Sequence, residues 1–174
     1  MSEHVGGNGV YVGSFNPPHR GHIQAMRDAL EVFDTLHMFV RYNEGVDLTD
    51  WETKRGWFDR IGEELGGRIV VHKKVNEEIK GKSYTINDFF EFMRDTERVI
   101  GAPVAGFVFG EDYADLMPTF EREFPHATFF IPKRPVDANG EPYSSTAIRD
   151  DLEGHRHWLP GYVYETLHAR KERS

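Results

Sequence analysis

Residues 13–22 of the chain read Gly13-Ser14-Phe15-Asn16-Pro17-Pro18-His19-Arg20-Gly21-His22. The apolar residues 10–12 precede this stretch, and apolar residues recur at helical spacing over residues 23–33, which follow it. A Gly/Pro-containing turn between a strand and a helix leaves the first N–H groups of the helix without intrahelical partners. Because such groups attract anions, the stretch predicts a nucleotide-phosphate site, to which two histidines and an arginine add donors.

The composition indicates one folded domain. The chain has 174 residues, of which 39% are hydrophobic and 29% charged. No apolar run approaches the roughly 20 residues that a membrane helix needs. The N-terminal stretch has neither the basic nor the apolar segment of a secretion signal. We therefore expect a single cytoplasmic domain over residues 1–174, with a flexible leader over residues 1–9 and no membrane association.

Cysteine content and charge narrow the chemistry and the partners. The absence of cysteine excludes disulfides, thiolate metal sites and cysteine nucleophiles. A net charge of −8 argues against a general nucleic-acid binder, whose affinity depends on neutralising phosphates. The charge is compatible with a small phosphorylated ligand, because a few local cations and backbone dipoles suffice to bind one mononucleotide.

Short apolar runs alternate with helical patterns along the chain. The runs predict strands at residues 10–12, 36–40, 68–72, 105–109 and 127–131. Helices are predicted over residues 23–33, from a capping box at residues 49–52 to Gly66, over residues 85–94 and about 114–124, from Ser144, and from Pro160. The charged residues 73–83 predict a mobile lid. This alternation predicts a doubly wound, Rossmann-like α/β fold, in which helices cover both faces of a parallel five-stranded sheet.

Three polar stretches follow predicted strands, namely residues 13–22, 110–113 and 133–149. Ligands of doubly wound sheets bind at the carboxyl ends of the strands, near the switch in strand order. We therefore expect the three stretches to meet at one edge of the sheet.

Two histidines flank Arg20-Gly21 at the predicted helix start. There the His22 ring can point toward a phosphate, and Gly21 leaves room for close approach of a ligand to the backbone. The same pattern is also compatible with a pair of helix-capping or surface histidines. A metal pair is disfavoured because no carboxylate within the turn completes a ligand set, so we predict no protein-held metal site.

The second notable motif is Ser144-Ser145-Thr146-Ala147-Ile148-Arg149. Hydroxyls at a helix start can bind a phosphate, and an arginine one turn later supplies a permanent, forked cation. An ordinary N-cap followed by a solvated arginine would produce the same pattern, so the motif alone does not identify a site.

Taken together, the two motifs resemble the nucleotidyltransferase superfamily with the HxGH signature, from about residue 10 to residue 160. Within that superfamily the chain is similar to the compact bacterial and archaeal nicotinamide mononucleotide adenylyltransferases. The resemblance implies adenylyl transfer from ATP to nicotinamide mononucleotide, giving NAD and pyrophosphate, with Mg²⁺ accompanying ATP. The family includes multimers, so a homo-oligomer is among the expectations.

The resemblance also implies roles for individual residues. His22, His19 and Ser14 would be catalytic, with His22 the most important in stabilising the transition state. The remaining ATP-binding residues would be Gly13, Phe15, Gly110, Asp112, Ser145, Thr146 and Arg149. The acceptor would be bound by Phe15, Asn16, Trp51 and Arg55, with Trp51 placed to stack on the nicotinamide ring; a core or surface role for Trp51 is the alternative.

Three other functions remain open. Phosphopantetheine adenylyltransferases share the HxGH site and differ in the acceptor pocket. A cytidylyltransferase is disfavoured because its usual second motif differs from Ser-Ser-Thr-Ala-Ile-Arg. A module that senses NAD or ATP without catalysis would need the same binding residues.

Overall fold

The computed structural model describes residues 3–75 and 85–173 and contains a parallel sheet in the order β3-β2-β1-β4-β5. Its strands are β1 Asn8–Gly13, β2 Thr35–Tyr42, β3 Ile69–Val75, β4 Gly106–Val108 and β5 Thr128–Phe130. The six α-helices of the described residues are α1 Arg20–Val32, α2 Trp51–Glu64, α3 Ile86–Ile100, α4 Met117–Glu123, α5 Ser145–Asp150 and α6 Gly161–Arg173. Short 3₁₀ helices span Glu111–Leu116 and Glu153–Trp158. The predicted doubly wound fold and all five strands are confirmed.

Side-chain alternation along the strands produces a core on each face of the sheet. On one face, Leu36 and Met38 of β2 are fully buried together with Phe58 of α2 and the apolar stripe of α1. On the other face, Phe39 joins Met93 of α3 and Phe120 of α4. A third cluster packs α5 and α6 against Trp57 of α2. Helices therefore cover both faces, as predicted. Within the described ranges, no helix is long and apolar enough to cross a membrane.

Several predicted boundaries are wrong. β1 includes Asn8 and Gly9, so these residues are not part of a flexible leader; the amide of Asn8 donates to Pro103 O at 3.1 Å. Just before them, the N–H groups of Val5 and Gly6 donate to the end of α1. β3 extends through residues 73–75 of the predicted lid, because these residues pair with residues 40–42 of β2. The rest of that lid, residues 76–83, lies outside the described residues.

A chain of hydrogen-bonded polar side chains, of which His37 is buried and Asn8 and His72 are half-buried, crosses strands β1, β2 and β3. The Asn8 amide nitrogen donates to Pro103 O, which leaves the Asn8 Oδ1 to accept from His37 Nε2–H at 3.2 Å. The His37 Nδ1 then accepts from His72 Nε2–H at 2.9 Å. Burial, followed by the charge of His72, lowers the pKa of His37 to about 4, so this chain is neutral near pH 7.

Lys54 of α2 lies beneath the loop that follows β1. The helix begins after the N-cap Asp50, whose side chain accepts from Thr53 N at 2.8 Å, rather than after Thr49 as the predicted capping box has it. Lys54 is only 1% exposed. Its ammonium group donates to Ser14 O at 2.6 Å, to Arg41 O at 3.0 Å and to the buried carboxylate of Asp47. One side chain thus joins the carboxyl ends of β1 and β2 to the loop that precedes α2.

We predict that Lys54→Met lowers the free energy of unfolding by about 3–5 kcal/mol, because it leaves the Asp47 carboxylate buried without its cation. Urea unfolding monitored by circular dichroism measures the change. The double variant Lys54→Met/Asp47→Asn removes that stranded charge and should lose less stability than the single variant. Lys133→Met, at an exposed lysine, serves as control and should change stability by no more than about 0.5 kcal/mol. Equal loss in the single and double variants would contradict the ion-pair account.

Candidate functional site

A cleft of about 200 Å³ opens at the carboxyl ends of β1 and β4, on either side of the point where strand order reverses. All three predicted stretches contribute to its walls: His19, Gly21 and His22 from the first, Gly110 and Asp112 from the second, and Arg134 and Tyr143 from the third. The prediction that these stretches meet at one edge of the sheet is therefore confirmed. This placement follows the general rule for ligand sites in open α/β sheets.

His19 and His22 cap the first turn of α1 reciprocally. The N–H of His22 donates to His19 Nδ1 at 3.2 Å, and the N–H of His19 donates to His22 Nδ1 at 3.1 Å. The two rings stack with their centroids 3.6 Å apart. The bonds satisfy two backbone donors, as an ordinary capping box does with hydroxyl and carboxylate side chains. The two histidines therefore cap the helix, which was the alternative that the sequence left open. The same two residues also line the cleft.

Capping also fixes the proton on each histidine. An Nδ1 that accepts from a backbone N–H carries no proton, so the neutral ring must hold its proton on Nε2. Burial lowers the pKa of His19 to about 4. Burial, with the charges of His19 and Lys54, holds the pKa of His22 well below its usual value. Both rings are therefore neutral at pH 7, and each offers an Nε2–H that bonds to no other described residue.

Phe15 lies behind the histidines rather than in the cleft. It adopts a φ of 45°, a left-handed conformation uncommon for a residue with a side chain, and its ring is 3% exposed. The ring packs edge-on against His22 at 4.8 Å and against Phe58 at 5.4 Å. A Cβ at Gly13 would lie 2.8 Å from this ring, so the strand must end in glycine. The inward turn of the backbone commits the ring to the core. The predicted contacts of Phe15 with ATP and the acceptor stay a prediction, and they would involve its backbone.

Gly21 is required by packing. A Cβ there would lie 2.8 Å from the Tyr143 Cβ and 2.9 Å from the His19 ring. The Tyr143 ring stacks on His19 at 5.7 Å and packs edge-on against Trp158 at 5.4 Å. The space that the sequence suggested for a ligand beside Gly21 is therefore occupied by Tyr143, which holds the face of the His19 ring. Tyr143 was missed because a single tyrosine in a polar loop carries no distinguishing pattern.

The second motif contacts the first directly. Ser144 caps α5 by accepting from Ala147 N at 3.2 Å, and the Ser145 hydroxyl donates to Pro17 O at 2.9 Å. The Arg149 guanidinium donates to Asn16 O at 2.6 Å and to the Thr146 hydroxyl oxygen at 3.1 Å. The motifs predicted to act together are thus joined across more than 120 residues. The Ser145 hydroxyl proton is committed to this contact, whereas the guanidinium has further N–H groups to offer.

The residues that follow β4 lie at the cleft, whereas Trp51 and Arg55, which were predicted to bind the acceptor, lie outside it. Gly110 and Asp112 are exposed at the cleft, where the adjoining 3₁₀ helix begins. Asn16 Oδ1 accepts from Leu48 N at 3.0 Å, which joins the β1 loop to residues 43–50. Trp51 packs edge-on against Tyr42 at 5.9 Å, and Arg55 is exposed; neither lines the cleft.

The wall of the cleft carries the two neutral histidines, one cation, Arg134, and the carboxylates of Glu111 and Asp112. Across residues 3–75 and 85–173, no three histidine, aspartate or glutamate side chains are grouped so as to hold a metal ion.

Lys54, which donates to Ser14 O from beneath the loop, is the principal supporting residue that the sequence analysis missed. Lysine is normally exposed, so its burial follows only from three acceptors that the fold brings together.

Several solved structures share this fold, although no curated protein matches the chain. The bifunctional NMN adenylyltransferase/ADP ribose pyrophosphatase of Francisella tularensis, complexed with AMP and Mn ion, superposes with a TM-score of 0.64 at 12% identity, over 95% of this chain and 49% of that one. NadR protein in complex with NR gives 0.62 at 18% identity, over 91% and 45%. The pantoate-beta-alanine ligase of F. tularensis, complexed with beta-gamma ATP and beta-alanine, gives 0.53 at 13%, over 82% and 64%.

At these identities the likeness concerns the fold, and the chain spans about half the length of the first two structures. A sequence model of the Cytidylyltransferase-like family, in contrast, matches residues 10–151, which include both motifs and every strand between them. With its doubly wound sheet and its two joined motifs, the chain belongs to the Cytidylyltransferase-like family of nucleotidyltransferases.

Proposed function

We propose that the protein transfers the adenylyl group of ATP to nicotinamide mononucleotide, forming NAD and pyrophosphate. The observation that carries the proposal is the pair of neutral histidines whose Nε2–H groups are left available at the cleft, next to Gly110 and Asp112. Family membership supports nucleotidyl transfer. The choice of adenylate and of the nicotinamide acceptor rests on the form of the two motifs, Gly-Ser-Phe-Asn-Pro and Ser-Ser-Thr-Ala-Ile-Arg.

The reaction needs no protein nucleophile and no general base. A phosphate monoester has its second pKa at about 6, so the acceptor is already largely a dianion near pH 7. An acceptor oxygen attacks the α-phosphorus of ATP in line. The new oxygen–phosphorus bond forms as the bond between the α-phosphorus and the bridging oxygen breaks, and that oxygen leaves with pyrophosphate. Histidines held neutral by burial match this chemistry, because they are required as donors rather than as proton acceptors.

Catalysis would therefore consist of positioning and charge stabilisation. The Nε2–H groups of His19 and His22 would donate to phosphoryl oxygens as negative charge develops on them. The remaining N–H groups of Arg149 and the Thr146 hydroxyl would bind the β- and γ-phosphates. ATP would enter as its Mg²⁺ complex, with the metal held chiefly by phosphate oxygens, since the described residues include no group of three side chains that could hold a metal ion. Gly110 and Asp112 would contact the adenosine.

The acceptor side is assembled around the loop after β1. The Lys54 ammonium donates to Ser14 O and Leu48 N–H donates to Asn16 Oδ1, so this loop is fixed from two directions. Trp51 and Tyr42 lie at the carboxyl end of β2 with the Lys73 ammonium 5.6 Å from the Trp51 ring centroid. An acceptor bound there would bring its ring to Trp51 and its phosphate toward the β1 loop. Arg55 is exposed on α2, the helix that begins at Trp51, and would contribute a positive charge to the acceptor site.

We predict that His22→Asn lowers kcat by more than about tenfold, equivalent to about 1.4 kcal/mol. Asparagine places an amide oxygen where Nδ1 accepts from His19 N, but it has no donor where Nε2 lies. Steady-state assays at saturating Mg-ATP measure kcat, and urea unfolding measures stability. The free energy of unfolding should remain close to that of the unsubstituted protein. His126→Asn, at an exposed histidine, serves as control. An unchanged kcat in His22→Asn would remove His22 from the mechanism.

The substrate assignment is tested by supplying several acceptors with Mg-ATP and measuring pyrophosphate release. We expect pyrophosphate to be released with nicotinamide mononucleotide. A second reaction with nicotinic acid mononucleotide shows whether the acid form of the acceptor is used as well as the amide. Parallel reactions contain phosphopantetheine, or Mg-CTP in place of Mg-ATP. Release only with phosphopantetheine or only with CTP would overturn the assignment within the same class of reaction. Binding of ATP or NAD without release in any arm would favour a non-catalytic sensor.

A further inference from the structure

A second cavity, of about 610 Å³, lies on the outer side of α1. We call it the α1–α6 groove, because it is bounded by Arg20 and Arg27 of α1, Arg60 of α2, and Tyr162 at the start of α6. The groove is separate from the histidine cleft, although Pro135 and Tyr143 line both. None of the residues proposed to act in nucleotidyl transfer lines this groove, so the proposed reaction does not explain it.

Three guanidinium groups face the groove without forming an ion pair to any residue of the described ranges. Arg20 donates its Nε–H to His157 O at 3.1 Å, which anchors the side chain and leaves both terminal NH₂ groups. The Arg60 guanidinium lies over the Tyr162 ring, 4.4 Å from its centroid. Such stacking orients a guanidinium and leaves its edge N–H groups available.

The charge around the groove favours an anion. The wall of the groove contains three arginines and two carboxylates, those of Glu64 and Glu165. The groove therefore has a net positive charge, although the net charge of the chain is −8. The Tyr162 hydroxyl is buried, and burial, followed by the charge of Glu64, raises the pKa of Tyr162 to about 12. This hydroxyl therefore remains protonated and uncharged at neutral pH.

The spacing of the arginines limits the ligand. Arg20 and Arg27 are seven residues apart on one helix, which corresponds to about 10 Å along its axis, and Arg60 approaches from a second helix. A ligand with more than one anionic group matches three arginines spread in this way better than a single bare phosphate does. Tyr162, Tyr143, Pro135 and Pro160 add flat apolar surfaces to the walls. A macromolecular polyanion is disfavoured by the net charge of the chain and by the concave shape of the groove.

We propose that the α1–α6 groove is a second binding site, for a phosphate-bearing small molecule of about mononucleotide size, whose anionic groups are held by Arg20, Arg27 and Arg60. The site does not depend on the proposed transferase activity. It adjoins the histidine cleft through Tyr143, whose ring stacks on His19.

The test is a titration of the full chain with inorganic pyrophosphate, observed through the arginine Nε–H signals in ¹H–¹⁵N NMR spectra. We expect the signals of Arg20, Arg27 and Arg60 to shift, and the dissociation constant obtained from them to rise at least fivefold in Arg27→Gln/Arg60→Gln, measured through Arg20. Arg122→Gln serves as control, because Arg122 is exposed on α4 and lies outside the groove.

Pyrophosphate is also a product of the proposed reaction, so the two sites must be distinguished. In Arg149→Ala the groove signals should shift as they do in the unsubstituted protein, whatever happens to binding at the cleft. The proposal is overturned if Arg27→Gln/Arg60→Gln binds pyrophosphate through Arg20 as tightly as the Arg122→Gln control. It is equally overturned if Arg149→Ala abolishes the shifts of the groove arginines.

Discussion

The hydrogen bonds that His19 and His22 exchange through their Nδ1 atoms are the constraint on which the candidate site depends. They begin α1, stack the two rings and determine which nitrogen of each ring carries the proton. A histidine that capped the helix through Nε2 would present a different atom to the cleft. One local arrangement therefore does two things. It satisfies N–H groups at the start of the helix, and it leaves two neutral N–H donors for phosphate oxygens.

The rest of the structure holds this arrangement in place. The ring of Phe15 supports His22 from the core, and Gly13 allows that ring to fold back beneath the end of β1. Lys54 fixes Ser14 O from below, while Arg149 holds Asn16 O from α5. The loop between β1 and α1 is thus restrained from both faces. Its rigidity follows from side chains of α2 and α5, well separated in sequence from the residues they hold.

Much of the fold could be predicted from sequence because its signals are local. Apolar runs located all five strands, and the rule for open α/β sheets placed the two motifs at one edge. The position of Phe15 could not be predicted, because a buried residue at positive φ depends on what packs around it. Lys54 was missed because its burial needs three acceptors from separate segments. The paired capping by His19 and His22 was open from sequence as an alternative to binding, whereas the structure shows that capping leaves Nε2 available.

The reciprocal cap of His19 and His22 is tested most directly by determining the tautomers of both rings in long-range ¹H–¹⁵N NMR spectra near pH 7. The reciprocal cap predicts that both rings are neutral and carry their proton on Nε2. On lowering the pH, His19 should remain neutral until about pH 4, where its pKa lies. Nδ1-protonated tautomers, or a charged imidazolium at pH 7 on either residue, would contradict the account.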